Sequence, residues 1–155
     1  MRTESPPDCF VYRKHRGLEA VPGGTIYENS LVYISHATLG ATETTHYLGH
    51  LFLEPKRHIA ELGQLLPDEA REMGFCLMLS ANALQEVCGV EHVYSFALGD
   101  NVPHVHLNVV GRYPGAPRDY WAMKVDEWPS APRGAYDQIA NLAAKLRDSI
   151  LHNVA

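Results

Sequence analysis

Long apolar runs are missing from this chain. Nowhere do about eighteen apolar residues follow one another, so no segment reads as a helix able to span a bilayer. The opening stretch MRTESPPDCF carries no apolar core of the kind a secretory leader needs. Cysteine is scarce too: Cys9, Cys76 and Cys88 are odd in number and stand at no zinc-site spacing, which excludes a disulfide scaffold. With no leader, this leads to the expectation of a reducing, cytoplasmic setting. Positive charge is in deficit. Lys and Arg number 13 against 18 Asp and Glu, a net charge of −5 that offers nucleic acid and anionic membranes no electrostatic invitation. A small phosphate ligand needs only a local site and stays open. Internal repeats and low-complexity runs are absent, and 155 residues, 46% hydrophobic and 20% charged, suit one domain over 1–155 with a single core.

What is present alternates between strand and helix signals. Residues 1–22 are polar and Pro-containing and read as a lead-in. GTIYENSLVYISHA places β-branched and aromatic runs either side of Glu28-Asn29-Ser30, a hairpin. Residues 37–47 form a polar loop. LGHLFLEPKRH is a strand stopped by Pro55, which cannot donate to a ladder. Residues 67–88 predict a helix: Pro67 suits the first turn, acidic Asp68, Glu69 and Glu72 favour its positive end, and Gly89 is a natural stop. Met73, Leu77, Leu84 and Cys88 are its expected buried stripe. EHVYSFALG is a strand ending in a turn at Gly99-Asp100-Asn101, and VPHVHLNVV is the next strand. Residues 111–134, rich in Pro, Gly and Arg, predict a long ordered loop. A last helix over 135–152 buries Ile139, Leu142, Leu146 and Ile150. The whole is an α+β domain, an antiparallel sheet with one central and one C-terminal helix.

The candidate site is the row His104, His106 and Asn108. At period two these share one face of a strand, with Val105, Leu107 and Val109 on the other, and side chains two apart are roughly 6.5–7 Å apart at the backbone. Polar groups in such a row would go unsatisfied against a closed core, so the row is expected to face a wet groove. Three readings compete: a solvent-facing strand with chance histidines; a metal site, with His50, Asp100 or His36 offered as third ligand; and a histidine nucleophile acting on phosphorus.

The sequence HVHLNVV resembles the His-φ-His-φ-His-φ-φ signature of the histidine triad (HIT) superfamily, with its last histidine replaced. GHLFLEPKRHIAEL looks like the family's preceding strand, IYENSLVYIS like its hairpin, and GDNVPH stands where the family has G-Q-x-V-P-H. The likeness covers roughly residues 9–115. It implies a HIT-like sheet-and-helix fold and a nucleotide hydrolase or nucleotidyltransferase acting on the α-phosphate of a nucleoside phosphate, of the dinucleoside polyphosphate type. It also implies a nucleotidyl-histidine intermediate and a homodimer. By motif position His106 is the nucleophile, His104 orients it, and His50 supports both. No cofactor and no metal is expected in the chemistry.

Departures from the pattern keep two rivals open, a nucleotide-binding protein without turnover and the His-ligated metal site. Asn108 can donate a hydrogen bond to a phosphoryl oxygen but cannot supply a proton at neutral pH. It is similar in chemistry to the glutamine that the family's transferase branch carries, and is one methylene shorter. Asp100 replaces the family's glutamine and puts negative charge where phosphates lie, so Asn101 is the better phosphate donor. The ribose-binding carboxylate of the hairpin is replaced by His36 or Ser35. The lead-in lacks the Cys-x-x-Cys that binds zinc in some members, since Tyr12 stands three after Cys9, and no structural zinc is expected. Lys56, Arg57 and His58 are read as a structural corner more than a phosphate clamp. Arg112, Arg118 and Arg133, and Trp121 and Trp128, lie in the long loop and either meet substrate or serve packing and solvation. His46 and His92 are read as surface residues.

Overall fold

The computed structural model describes residues 8–155; residues 1–7 of the expected lead-in lie outside them. The hairpin forms as expected, with β1 (Thr25–Glu28) and β2 (Val32–His36) joined through Asn29. Asn29 Oδ1 accepts the backbone N–H groups of Leu31 and Val32 at 2.8 and 3.1 Å, a side chain standing in for a missing turn acceptor. β3 (His46–Tyr47), β4 (His50–Pro55), β5 (His92–Phe96), β6 (Leu107–Arg112) and β7 (Arg133–Gly134) follow. The main sheet has the order β1-β2-β4-β6-β5 with antiparallel neighbours, and β3 pairs with β7 in a separate small sheet. Two long helices, α2 (Pro67–Cys88) and α3 (Tyr136–Val154), complete the α+β architecture that the sequence predicts. Among the described residues no helix is long and apolar enough to cross a membrane.

Both long helices cover one face of the sheet. Val32, Ile34, Leu51, Leu53 and Val109 meet Met73, Cys76, Leu84, Leu146 and Ile150 there. Each such fully buried side chain contributes about 1.5–3 kcal/mol, so this layer holds the sheet flat against its helices. α2 ends where Gly89 adopts φ 67°, as read from the sequence. Its buried stripe is offset from the expected one: Met73 and Leu84 are enclosed, but Cys76, Leu79 and Ala83 take the places assigned to Leu77 and Cys88, which are half-buried. In α3 the fully buried neighbour is Ala143, with Leu142 packed at the edge.

The opposite face is where the expectations fail. The lead-in contains a six-residue helix, α1 (Phe10–His15), that docks over β4. Lys14 Nζ donates to Glu54 Oε1 at 2.6 Å and His15 Nε2–H donates to Glu54 Oε2 at 2.9 Å, all three side chains being buried. The supposed loop 111–134 begins inside β6, then makes short 3-10 helices at Arg118–Tyr120 and Ala122–Glu127 and ends in β7. Val125 and Ala131, with Trp128 at their edge, pack on Tyr47 and Val110 as a second small core. Trp128 thus serves this core, while Trp121 lies over the Arg112 guanidinium, 3.8 Å from its ring centroid. Phe52 and His106 are half-buried.

Candidate functional site

The row does not lie wholly in a strand. The β4–β6 ladder ends at the pair Leu53 and Leu107, because Pro55 has no N–H for a further rung. His104 takes up the vacant partner instead, its Nε2–H donating to the Pro55 carbonyl at 2.8 Å, while Val105 N–H donates to the Ile59 carbonyl at 2.7 Å. Side-chain alternation survives: Val105 and Val109 are buried in the helix-side core. The expected wet groove narrows to one residue. His104 is fully enclosed, Asn108 nearly so, and only His106 is half-open. The buried pair is tolerated because each polar atom has a partner.

His106 Nδ1–H donates to its neighbour's main chain, the His104 carbonyl, at 2.8 Å. That contact fixes the tautomer and leaves the Nε2 lone pair free on the half-open side. Phe52, which pairs with Asn108 across the strands, sets its ring edge-on to His106 with centroids 5.6 Å apart. His50 Nε2–H donates to Asn108 Oδ1 at 2.9 Å, and Asn108 Nδ2 donates to the Phe96 carbonyl at 3.3 Å. Burial pushes the His50 and His104 pKa values down to about 4, and both rings are neutral at pH 7. His50 and Asn108 also line a cavity of about 210 Å³ with Phe96, Leu98, Met123 and Asp126.

Three assignments need correction. His36 cannot meet a ribose: it is fully buried, its Nδ1–H donates to the Ala37 carbonyl at 2.8 Å, and its Nε2 accepts the Gly49 N–H at 3.0 Å. Its work is to clamp the turn before His50, where Gly49 adopts φ 90°. His46, read as a surface residue, is half-buried and its Nε2 lies 3.1 Å from His50 Nδ1. His50, Asp100 and His36 do not join a metal set with the row; the ligand cluster consists of Cys9 Sγ, His58 Nδ1 and His104 Nδ1, all within 4.8 Å of one another. Asp100 and Asn101 are exposed in the loop before the row, and Asn101 lines a cavity of about 380 Å³ with Cys9, Phe10 and His58. Lys56 pairs with Glu28 and Arg57 grips Glu69 twice, the structural roles expected of that corner.

No protein-family model and no curated protein sequence matches the chain. Solved structures do. A zinc-bound histidine triad family protein from Mycobacterium smegmatis superposes with a TM-score of 0.69 at 19% identity, over 95% of this chain and 96% of that one. A Hit-like protein involved in cell-cycle regulation from Bartonella henselae gives 0.66 at 14%, over 95% and 99%. A hypothetical histidine triad nucleotide-binding protein from Sulfolobus tokodaii gives 0.67 at 15%, over 93% of each. This is the histidine triad fold.

On that fold the Cys9, His58 and His104 cluster can be tested as a zinc site. One thiolate and two imidazoles are a ligand set zinc takes, and the Pro55 carbonyl on His104 Nε2–H is the outer contact that orients such a ligand. The set supplies three of the four ligands a tetrahedral zinc site takes. Among the described residues no fourth His, Cys, Asp or Glu joins it, and Tyr12, three residues after Cys9, has its hydroxyl accepting from Arg16. Zinc bound there would tie α1 to the segment carrying His104, behind the half-open face of His106. The sequence hides this cluster because its members lie at 9, 58 and 104.

Proposed function

We propose that the chain is a member of the HIT superfamily that hydrolyses or transfers the nucleotidyl group of a nucleoside phosphate, with His106 as nucleophile. The observation that carries this reading is the Nδ1–H contact to the His104 carbonyl, which in the neutral ring places the lone pair on Nε2. The Nε2 lone pair attacks the α-phosphorus as the bond to the leaving oxygen breaks and its electron pair departs with that oxygen. The ring becomes a nucleotidyl-imidazolium whose remaining N–H stays on the His104 carbonyl, an acceptor that favours the cation. Water or an acceptor hydroxyl then attacks phosphorus, loses its proton to solvent, and returns the P–N pair to His106. Asn108 offers no proton to the first leaving group, so a phosphate or pyrophosphate leaving group of low basicity suits the site, as in a dinucleoside polyphosphate. The naming of the Sulfolobus neighbour as nucleotide-binding supports the ligand class. We further propose a homodimer.

One observation favours a second reading, a nucleotide-binding protein without turnover: the amide at position 108 is engaged with His50 and Phe96 and carries no titratable proton. Intact-protein mass after brief exposure to nucleoside polyphosphates and nucleotide sugars separates the two. An acid-labile nucleotidyl adduct on the wild type, missing from His106→Ala, is the expected result. Monophosphate binding with no adduct from any member of the panel would favour the binding protein.

A further inference from the structure

The third residue of the row is attached to a chain of hydrogen bonds that leads outward. The Phe96 carbonyl takes one N–H of Asn108, which turns Oδ1 toward His50, and His50 must then carry its proton on Nε2. A neutral His50 so protonated has only an acceptor at Nδ1, and what faces it at 3.1 Å is His46 Nε2, which must be the donor. On the other side of the ring His46 Nδ1 lies 3.3 Å from Glu43 Oε2. His46 thereby stands between the Glu43 carboxylate and a neutral His50.

Each link is held from outside. Glu43 Oε2 accepts the Gly40 N–H at 2.9 Å, a contact that with His46 keeps its carboxyl below the usual range. The Arg133 guanidinium lies 3.9 Å from Glu43 Oε1 and donates to the Thr45 carbonyl at 3.0 Å. Pairing of β3 with β7 sets His46 opposite Gly134. The remaining titratable neighbours are His36, with its ring centroid 6.3 Å from that of His46, Asp126, which lines the cavity with His50, and His106, whose charge would bear on His50.

We propose that Glu43 and His46 are positioning residues that act with the Phe96 carbonyl to hold His50 as its Nε2–H tautomer and so present an N–H of Asn108, not its oxygen, to a phosphate in the groove. The inference rests on the phosphate-binding reading given above. With the His50 tautomer reversed, Nε2 becomes an acceptor and the amide flips to donate to it. Oδ1 then faces the Phe96 carbonyl as well as the phosphate oxygens, and attraction turns into repulsion between acceptors. The amide at position 108 is therefore half of the device, and the small β3–β7 sheet supplies the other half by seating His46 against His50.

Long-range proton–nitrogen correlation spectra read each ring's tautomer without turnover. In the wild type at pH 7 the expected pattern is Nε2–H for His50, with a proton on His46 Nε2. His46→Gln keeps an uncharged donor for His50 Nδ1 and should retain the tautomer, with AMP affinity within about twofold of wild type. His46→Leu has no donor and should lose the tautomer, with AMP and inorganic phosphate binding about tenfold weaker by calorimetry. The proposal is overturned by an Nδ1–H His50 in the wild type, by an unchanged His46→Leu protein, or by His46→Gln as weak as His46→Leu. A wild type that binds neither probe overturns it together with the phosphate reading. If the tautomers and affinities come out as expected but no His106 adduct ever forms, only the catalytic reading falls.

Discussion

Lys14→Met tests whether the unexpected helix α1 truly closes the back of the groove. Lys14 and Glu54 are each only 2% exposed and lie 2.6 Å apart, and Lys14 Nζ also sits 5.2 Å from the centroid of the Phe52 ring. Removing the ammonium leaves a buried carboxylate with the His15 Nε2–H as its remaining hydrogen-bond partner, at 2.9 Å. Stranding a buried charge costs about 3–5 kcal/mol, and the remaining His15 contact places this case near the lower end. About 3 kcal/mol corresponds to a fall in Tm of about 6–12 °C for a domain of this size. Calorimetry at pH 7 is the assay. The double variant Lys14→Met with Glu54→Leu removes both charges at similar volume and should recover to within about 1 kcal/mol of wild type. Acid supplies a further check. Burial raises the Glu54 carboxyl, but Lys14 and His15 outweigh it, and its pKa is lowered overall. A lowered carboxyl stabilises fully above its unfolded value of about 4.3 and loses that contribution as pH falls through the lower folded value, so the gap between wild type and Lys14→Met should close there. A single variant with wild-type Tm at pH 7, or a double variant as unstable as the single, would refute the account of α1.

Asn108→His restores a titratable ring beside His106. Turnover of substrates with poor leaving groups should rise by about 10²-fold while good leaving groups gain little, read as the ratio of kcat/KM for the two classes. Burial holds the pKa values of His36 and His50 down to about 4. Because the unfolded chain binds more protons between that value and about 6.5, stability should be full above pH 6.5 and fall below it, by at most about 1.4 kcal/mol per pH unit for each ring in urea titrations. Gly49→Ala places a Cβ 3.3 Å from Leu84 at φ 90°. A loss of about 1–3 kcal/mol in the same titration is expected, with His50 displaced from Asn108. Zinc added to metal-stripped protein should bind at one equivalent per chain by elemental analysis, and Cys9→Ser should lose it with the fold intact by circular dichroism; equal zinc in both proteins would remove Cys9 from the ligand set.

Much of the fold was legible because its signals are local. The ends of α2 follow from Pro67 and Gly89, the end of β4 from Pro55, and the hairpin from Asn29, each a matter of what one residue's backbone permits. Period-two alternation likewise put Val105 and Val109 in the core and singled out His104, His106 and Asn108. What tertiary structure alone decided involves partners far apart in the chain. α1 is too short to hold as an isolated helix and exists through Lys14 and His15 on Glu54, about forty residues away. His36 looked available for a ligand until Gly49 and the Ala37 carbonyl took both its nitrogens. His46 looked like a surface residue until β7, some ninety residues later, held it against His50. A sequence fixes which side chains can donate, accept or carry charge. Which of them find a partner, and so which proton sits on which nitrogen, depends on contacts that only the folded chain brings together.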